Sequence, residues 1–320
     1  MSGDLPSPDT SLRISRIAKE PLVQGRLTTI AAIVPAATRG LSMVRRRRLA
    51  SELRRLREAA HLTCDEVAAE LDCSASKISR IETGRTSASP RDVRDLLGIY
   101  GAPDAVRDSL IQLARESRQK GWWQGYGDSV QPHLATYLGM ESEASEIRQY
   151  GMARMPILLQ TEDYARAVVT AGRAGTGRYP GTADRVVEIL MERQRLAAAS
   201  PPQVRVVLDE AALRRQVGGR EVMREQIGRL IDLSSTGTTL VQFIPFSSGA
   251  YAAFDLPFVI LGFPDPADPD VACIGYQTGV LWIEDMAEVD RYNMCFRHLQ
   301  AAALSPDDSA TLMTSVLKEL

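Results

Sequence analysis

The segment from residue 64 to residue 84 constrains the fold of this chain more than any other stretch. Thr63 and Glu66 form a capping box that starts one short helix. Ser74 caps a second helix after a tight turn, and Gly84 is placed to end that helix in the left-handed conformation. Two short helices in this arrangement are typical of a helix-turn-helix. The side chains that would fix the angle between them are Ala68, Leu71, Cys73, Ile78 and Ile81.

The start of the second helix indicates a surface that reads DNA, because side chains at that position of a helix-turn-helix reach base edges in the major groove. Four outward-facing residues are predicted to make such base contacts: Ala75, Ser76, Ser79 and Arg80. Phosphate contacts are predicted for the helix cap and the surrounding basic side chains: Arg45, Arg46, Arg47, Arg48, Ser74, Lys77 and Arg85. The alternative is a small helical bundle whose surface arginines are merely solvated.

Helix signals on both sides of this segment indicate that it belongs to a larger helical domain. An amphipathic pattern starts at Leu49, Ser89 caps a helix that begins with proline, and another helix is predicted to begin at Pro103. We therefore expect an all-α helix-turn-helix domain of five helices over residues 44–118. Residues 1–43 are rich in Ser, Pro and Thr without sustained periodicity, and they are predicted to be a disordered leader.

Residues 119–320 mix helical and strand-like patterns irregularly. The predicted helices lie at 161–170, 183–198, 221–233 and 287–303. The predicted strands lie at 204–208, 239–244, 257–263 and 280–283. This mixture indicates an α+β domain with a mainly antiparallel sheet, which we expect to act in sensing, dimerisation or partner binding.

The charge balance separates the two parts of the chain. The formal net charge is only −2, but residues 1–120 carry 21 Lys and Arg against 15 Asp and Glu, which leaves 17 against 25 for the remainder. The basic part is expected to bind DNA and the acidic part to repel it. One helix-turn-helix reads too few base pairs to select an operator in a genome, so a homodimer on double-stranded operator DNA is predicted. Its contact is expected in the acidic part, on the helix at 221–233 or at 287–303.

Catalytic, metal and membrane signals are weak in this sequence. It contains only three histidines and shows no phosphate-binding loop, nucleophile elbow or metalloprotease motif. The four cysteines are too far apart for paired zinc ligands. We therefore expect no enzyme activity, no catalytic residues, no metal and no cofactor. Because no apolar stretch reaches the length of a membrane-spanning helix, a cytoplasmic protein without a membrane partner is expected.

Five aromatic residues are candidates for a ligand or partner site: Trp122, Trp123, Tyr126, Tyr251 and Phe254. Aromatic rings offer large apolar faces on which a ligand or a partner side chain can stack. The alternative for the first three is that they dock the helical domain onto the acidic domain. The other two would then simply pack against a sheet.

The helix-turn-helix resembles that of the lambda-repressor-like XRE family. The residues that match its motif are Ala68, Ser74, Ile78, Ser79, Glu82 and Gly84. The segment departs from the motif at Cys64, where the family often has a phosphate-contacting glutamine, and at Asp72, where it usually has glycine. Further on, the chain looks like the domain of unknown function 5753 in the segments GWWQGY, MPILLQTEDYARAVV, ERQRL, LDEAALRRQVGG and VQFIPFSSGAY.

This resemblance covers residues 44–320, and it implies a function. Such two-part proteins are found in many actinobacteria and are considered transcriptional regulators of development and antibiotic production. They are often paired with a small partner protein that carries the domain of unknown function 397. The resemblance implies a dimeric regulator whose C-terminal domain receives a signal from a small-molecule effector or from such a partner. The alternative is an antitoxin-like protein that neutralises a small partner and uses DNA binding only to regulate its own synthesis.

Overall fold

The computed structural model describes residues 43–117, 121–173, 181–266 and 268–320. Apart from Met43, the predicted leader lies outside the described residues. The N-terminal part is helical, as predicted. Its helices are α1 (Met43–Ala59), α2 (Cys64–Glu70), α3 (Ala75–Glu82), α4 (Pro90–Ile99) and α5 (Asp104–Glu116).

The predicted helix caps are present. The Thr63 hydroxyl accepts a hydrogen bond from the Glu66 N–H, and the Glu66 carboxylate accepts one from the Thr63 N–H at 2.7 Å. Ser74 accepts from the Lys77 N–H in the same way at the start of α3. Gly84 follows α3 with φ +67°, a left-handed conformation that few other residues adopt. Local sequence signals therefore set both helices of the helix-turn-helix.

The turn between α2 and α3 closes although it lacks the usual glycine. Asp72 occupies the left-handed position with φ +48°, which Asp tolerates better than most side chains. The next residue, Cys73, donates its N–H to the Ala68 carbonyl at 2.9 Å. Ala68 is buried, so its small side chain lies where the helices pack closely. The departure from the motif at Asp72 therefore leaves the helix-turn-helix intact.

The C-terminal part contains both helices and strands. The helices are α6 (Pro132–Glu141), α7 (Glu162–Arg173), α8 (Ala183–Ala199), α9 (Ala211–Arg214), α10 (Arg220–Ser235), α11 (Met286–Ala302) and α12 (Pro306–Glu319). The strands are β1 (Glu146–Gly151), β2 (Gln203–Asp209), β3 (Thr239–Ile244), β4 (Phe258–Gly262), β5 (Val271–Tyr276) and β6 (Gly279–Ile283). A 3₁₀ helix at Trp122–Ser129 precedes α6.

The strands form one mixed sheet in the order β3-β2-β1-β4-β5-β6. Three of the five pairings among these described strands are antiparallel, and β2 pairs with both β1 and β3 in parallel. Parallel neighbours need a long crossover, and α7 to α8 and α9 to α10 supply these connections. The sheet is thus mostly antiparallel, with a parallel half that the sequence patterns did not indicate.

Helices cover both faces of the sheet. On one face, α11 packs its Phe296 with Tyr150 and Phe258 of the central strands. On the other face, α7, α10 and α12 pack on β2 and β3, and α6 lies over β1 and β4 to β6. No helix in the described ranges has both the length and the apolar character needed to cross a membrane.

Candidate nucleic-acid interface and ligand cavity

The start of α3 presents a polar face to solvent. Ser76, Ser79 and Arg80 are exposed, and Arg80 forms no ion pair with any residue that the structure describes. Ala75 differs from the expectation because it is half-buried and packs against the helical core. Its position in the first turn of α3, directly after the interhelical turn, explains this packing. The exposed side chains remain available for base edges.

A buried ion pair fixes the position of α3 against the rest of the helical domain. Glu82, at the end of α3, accepts hydrogen bonds from Arg57 Nε of α1 at 2.9 Å and from the Tyr100 hydroxyl at 3.1 Å. Arg57 also donates to the Leu62 carbonyl at 2.7 Å. Only 3% of the Glu82 side chain is exposed. The motif contained Glu82, but only the structure shows that it ties α3 to α1 and to the end of α4.

The two basic residues beside α3 have different surroundings. Lys77 Nζ lies 2.8 Å from Asp92 Oδ1, and this hydrogen bond raises the pKa of Lys77. Arg85 is exposed, with no ion-pair partner among the described residues. Ser74 is exposed as well, but its hydroxyl caps α3. Arg85 is therefore the predicted phosphate contact with the least competition from protein carboxylates.

Three arginines of the basic run, residues 45–48, face carboxylates. Arg47 Nη1 lies 3.4 Å from Glu284 and Arg48 Nη1 lies 2.5 Å from Asp265, both acids of the C-terminal part. Arg45 lies 3.7 Å from Glu116 and 4.0 Å from Glu143. The basic run thus contacts the acidic domain in this structure, and its role at DNA phosphates stays a prediction.

The remaining arginine of the run, Arg46, is in an unusual environment. Its Nε is buried and has no hydrogen-bond partner among the residues that the structure describes. Burial lowers the pKa of its guanidinium. A buried and unsatisfied donor is costly, so Arg46 is less suited to a phosphate contact in this conformation than its neighbours.

The first aromatic cluster anchors the 3₁₀ helix to the C-terminal domain. Trp123 is buried, and a side chain at Gly139 of α6 would lie only 3.4 Å from its ring. Trp122 makes edge-to-face contacts with both Trp123 and Tyr126, with centroids 5.9 and 5.8 Å apart. The Arg185 guanidinium of α8 lies 4.3 Å from the Tyr126 ring centroid. These contacts join the 3₁₀ helix to α6 and α8.

The second aromatic pair, Tyr251 and Phe254, lies on the opposite face of the sheet. The Tyr251 hydroxyl donates to Asp209 at 2.6 Å and accepts from Tyr150 at 3.0 Å. Phe254 packs edge-to-face on Tyr251 and is 53% exposed. The structure therefore does not bring the five predicted aromatic residues together into one site.

A cavity of about 550 Å³ lies at one end of the sheet. Its floor is formed by the neighbouring ends of β1, β4, β5 and β6, and α6 and α8 cover it. Tyr150, the hydrogen-bond partner of Tyr251, belongs to its wall, but none of the five predicted aromatic residues does. The cavity could not be found from sequence patterns, because its wall residues come from elements that are distant along the chain.

A buried ion pair stands beside this cavity. Arg193 of α8 and Glu141 of α6 form a two-pronged contact, and each side chain is only 7% exposed. Burial disfavours the charge on Arg193, but Glu141 and Tyr137 more than offset it, so the pKa of Arg193 is raised. The Arg193 guanidinium also lies 4.9 Å from the Tyr137 ring centroid. This pair holds α6 and α8 together over the sheet.

Comparisons with known families agree with this two-part architecture. The family profile described as Domain of unknown function (DUF5753) matches residues 134–315, more than half of the chain. The chain belongs to this family. A second profile, described as Helix-turn-helix domain, matches residues 48–110 and so includes α2 and α3. Searches of the curated proteins and of the solved structures each found no significant match.

The DUF5753 region contains the cavity wall from Leu134 onward, while Ser129, Gln131 and His133 lie just before it. Within the described residues, no group of three or more His, Cys, Asp or Glu side chains is arranged to hold a metal ion. Among the residues that the structure describes, the exposed face of α3 and the cavity on the sheet are the candidate functional surfaces of this DUF5753 chain.

Proposed function

We propose that this protein is a sequence-specific, DNA-binding transcriptional regulator, and that its function is binding, not catalysis. The helix-turn-helix match supports DNA binding, and one structural observation supports sequence reading. Ser76, Ser79 and Arg80 are exposed together at the start of α3, on a helix held in place by the Glu82 ion pair. A rigid helix with exposed hydrogen-bonding side chains suits recognition of base edges in a major groove.

Base contacts and phosphate contacts are divided between different residues in this proposal. Arg80 would bind O6 and N7 of a guanine with both arms of its guanidinium, since no described carboxylate competes for it. Ser76 and Ser79 would donate to or accept from neighbouring bases. Arg85 would contact phosphate and add affinity without sequence preference.

We further propose that the C-terminal domain dimerises and receives a signal from a ligand or a small partner protein. Of the two helices predicted to carry the dimer contact, α10 buries Met223, Ile227 and Leu230 in the core. α11 also buries Val289, Phe296 and Leu299, but it leaves Met286 and Met294 exposed, at 69% and 60%. These two exposed apolar side chains favour α11 as the contact. The two helix-turn-helix domains of the dimer would then bind half-sites separated by about 10 base pairs or a multiple of that.

The DNA proposal is tested by selecting preferred duplexes from a random pool with the full chain. Binding is then measured on the preferred duplex and on an unrelated one. Arg80→Ala should weaken the preferred duplex by about 1 to 3 kcal/mol while unrelated DNA binds almost as before. Arg85→Ala should weaken both duplexes alike and flatten the salt dependence by about one unit. Arg224→Ala, an exposed arginine on α10, serves as the control.

Equal losses on both duplexes for Arg80→Ala would show that Arg80 does not read a base. Failure to enrich any duplex would refute sequence-specific binding altogether.

The dimer proposal is tested by sedimentation of the full chain over a range of concentrations. Met294→Glu should shift the equilibrium toward monomer, because it places a charge in the contact. The exposed Phe246, which lies in a short 3₁₀ helix (Phe246–Ser248) and not on α11, provides the control in Phe246→Glu. A dimer unaffected by Met294→Glu would place the contact elsewhere.

A further inference from the structure

We propose that the cavity over β1, β4, β5 and β6 binds a small, uncharged and mostly apolar molecule that carries a hydrogen-bonding group. This inference rests on the proposed function for its biological role, since such a molecule would be the signal that the C-terminal domain receives. Binding itself depends only on residues of that domain, so it can succeed or fail independently of DNA recognition.

The strand register explains why there is space above this part of the sheet. Gln149, Val259 and Cys273 are register partners, and they form one row across β1, β4 and β5. Side chains alternate along a strand, so the next row on this face contains Gly275, which has no side chain. A Cβ atom added at Gly275 would meet no atom within 4 Å beyond its own chain neighbours. The floor is therefore filled by one row of side chains and left open by the next.

The cavity keeps two side chains of the central strands accessible. β1 and β4 lie in the middle of the sheet, where helices on both faces usually bury the side chains. Gln149 and Val259 are nevertheless only half-buried, because they face the cavity. On β5, Cys273 is 3% exposed, whereas Gly275 is exposed. The cavity is thus closed toward Cys273 and open toward Gly275.

Two helices line the cavity from above with apolar side chains. α8 contributes Val186, Ile189 and Leu190, whose spacing places them on one face of the helix. α6 contributes Leu134 and Tyr137, which are one helical turn apart. A volume of about 550 Å³ and a mainly apolar lining are typical of small-molecule sites.

An ion pair holds these two helices in place over the sheet. Beyond the apolar residues, Arg193 of α8 pairs with Glu141 of α6, and both side chains are only 7% exposed. The pair would resist a collapse of the helices onto the floor. A cavity whose walls are already fixed needs little ordering when a ligand enters, which lowers the entropic cost of binding.

The charges of the wall favour an uncharged ligand. Among the residues that the structure describes, the wall contains two arginines, Arg154 and Arg193, and no aspartate or glutamate. Glu141 already neutralises Arg193, and Arg154 is exposed to solvent and has an interaction of its own. Burial raises the pKa of the Cys273 thiol to about 12, so this floor residue is uncharged at neutral pH. An ion that entered would lose its hydration without gaining an unpaired charge of opposite sign.

Gln149 offers a polar contact in the middle of the floor. Its side chain forms no hydrogen bond with the residues that the structure describes. A primary amide can both donate and accept hydrogen bonds, so it can pair with a carbonyl, amide or hydroxyl group of a ligand. A polar group that is covered without a partner is costly, so a hydrocarbon would be a poorer ligand than a molecule with such a group.

The wall also links the cavity to the basic run. β6 contributes Val280, and Glu284 directly follows this strand. Glu284 lies 3.4 Å from Arg47. A ligand beside Val280 would therefore act on the strand that positions one contact of the basic run.

The test uses the full chain without DNA and prodan, an uncharged naphthyl ketone whose fluorescence increases in apolar surroundings. We expect prodan to bind with a stoichiometry of about one per chain. Gly275→Leu should weaken prodan at least about tenfold, because its side chain occupies the cavity. Gly125→Leu, at an exposed glycine with equally open space outside the wall, should change prodan affinity by less than about twofold.

The chemical class is read from three competitors of one ring system. Naphthamide is uncharged and forms hydrogen bonds, naphthoate is an anion of the same shape, and methylnaphthalene has no polar group. Naphthamide should displace prodan at concentrations at least about tenfold lower than naphthoate does. Gln149→Met should weaken naphthamide about three- to tenfold and leave methylnaphthalene within about twofold, because only naphthamide loses a hydrogen bond.

Tryptophan fluorescence melting without prodan verifies that each variant is folded. Should Gly275→Leu not fold, Val259→Phe fills the cavity from the centre of its floor. Unchanged prodan affinity in a folded Gly275→Leu or Val259→Phe variant would overturn the cavity as the site.

Displacement by naphthoate as readily as by naphthamide would overturn the uncharged class of ligand. Equal weakening of naphthamide and methylnaphthalene by Gln149→Met would overturn Gln149 as the polar contact. Operator binding is measured on the same wild-type preparation. A chain that binds DNA but not prodan refutes this inference alone, and a chain that binds prodan but no duplex refutes the regulatory function alone.

Discussion

The ion pair between Glu82 and Arg57 offers the sharpest test of how the helix-turn-helix is held together. Glu82→Gln removes the charge but keeps the size of the side chain. It leaves the Arg57 guanidinium, of which 12% is exposed, without its carboxylate. Loss of one partner from a buried pair typically costs about 3 to 5 kcal/mol. Because Arg57 keeps its hydrogen bond to the Leu62 carbonyl, we expect about 2 to 3 kcal/mol for Glu82→Gln.

Hydrogen exchange of the full chain measures this loss where it occurs. All three tryptophans lie beyond residue 120, so their fluorescence reports on the C-terminal domain and not on the helix-turn-helix. Exchange of the protected amides of α3 should accelerate by roughly 30- to 150-fold in Glu82→Gln, which corresponds to the expected loss of stability. The tryptophan melting curve should stay where it is.

Glu58→Gln is the matched control. Glu58 lies one residue from Arg57 on α1, but its side chain is 53% exposed and its hydrogen bond to Arg54 is at the surface. Exposed ion pairs contribute little to stability, so exchange in α3 should change by less than about twofold. If Glu82→Gln also left α3 exchange within about twofold of the wild type, the ion pair would not be what positions α3.

Two further predictions concern charges in the C-terminal domain. The double variant Glu284→Gln and Asp265→Asn releases two arginines of the basic run, so DNA affinity at low salt should rise about two- to fivefold and its salt dependence should steepen, as followed by fluorescence anisotropy. Unchanged salt dependence would mean that these arginines do not reach phosphate. Arg193→Met leaves Glu141 buried and unpaired, so the tryptophan melting temperature should fall by about 10 °C; a shift below about 2 °C would contradict a structural role for the pair.

Much of the helix-turn-helix could be predicted from the sequence because its signals are local. Thr63 and Glu66 satisfy each other's hydrogen bonds, and the Ser74 hydroxyl accepts from the Lys77 N–H, in both cases within three residues of chain. Gly84 adopts the left-handed conformation with which such helices commonly end. These interactions operate in almost any surroundings, so their residues identify α2 and α3 without knowledge of the rest of the protein.

The centre of the sheet could not be predicted in this way. β1 lies between β2 and β4, yet it carries Arg148 and Gln149 where an apolar pattern would be expected. Arg148 is accommodated by Asp270 and Asn293, more than a hundred residues away, and Gln149 by the cavity floor. From the sequence alone, a polar residue predicts an exposed position unless its distant partners are known.

The sequence alone therefore determined the helical domain, its recognition helix and the charge contrast between the two parts of the chain. Only the tertiary structure decided which charges are free. It pairs Arg47 and Arg48 with acids more than two hundred residues away, while Arg80 stays exposed. It also forms the cavity, whose wall is assembled from strands and helices far apart in the chain. Ion pairing and enclosed volume depend on three-dimensional distance, whereas helix capping depends on neighbours along the chain.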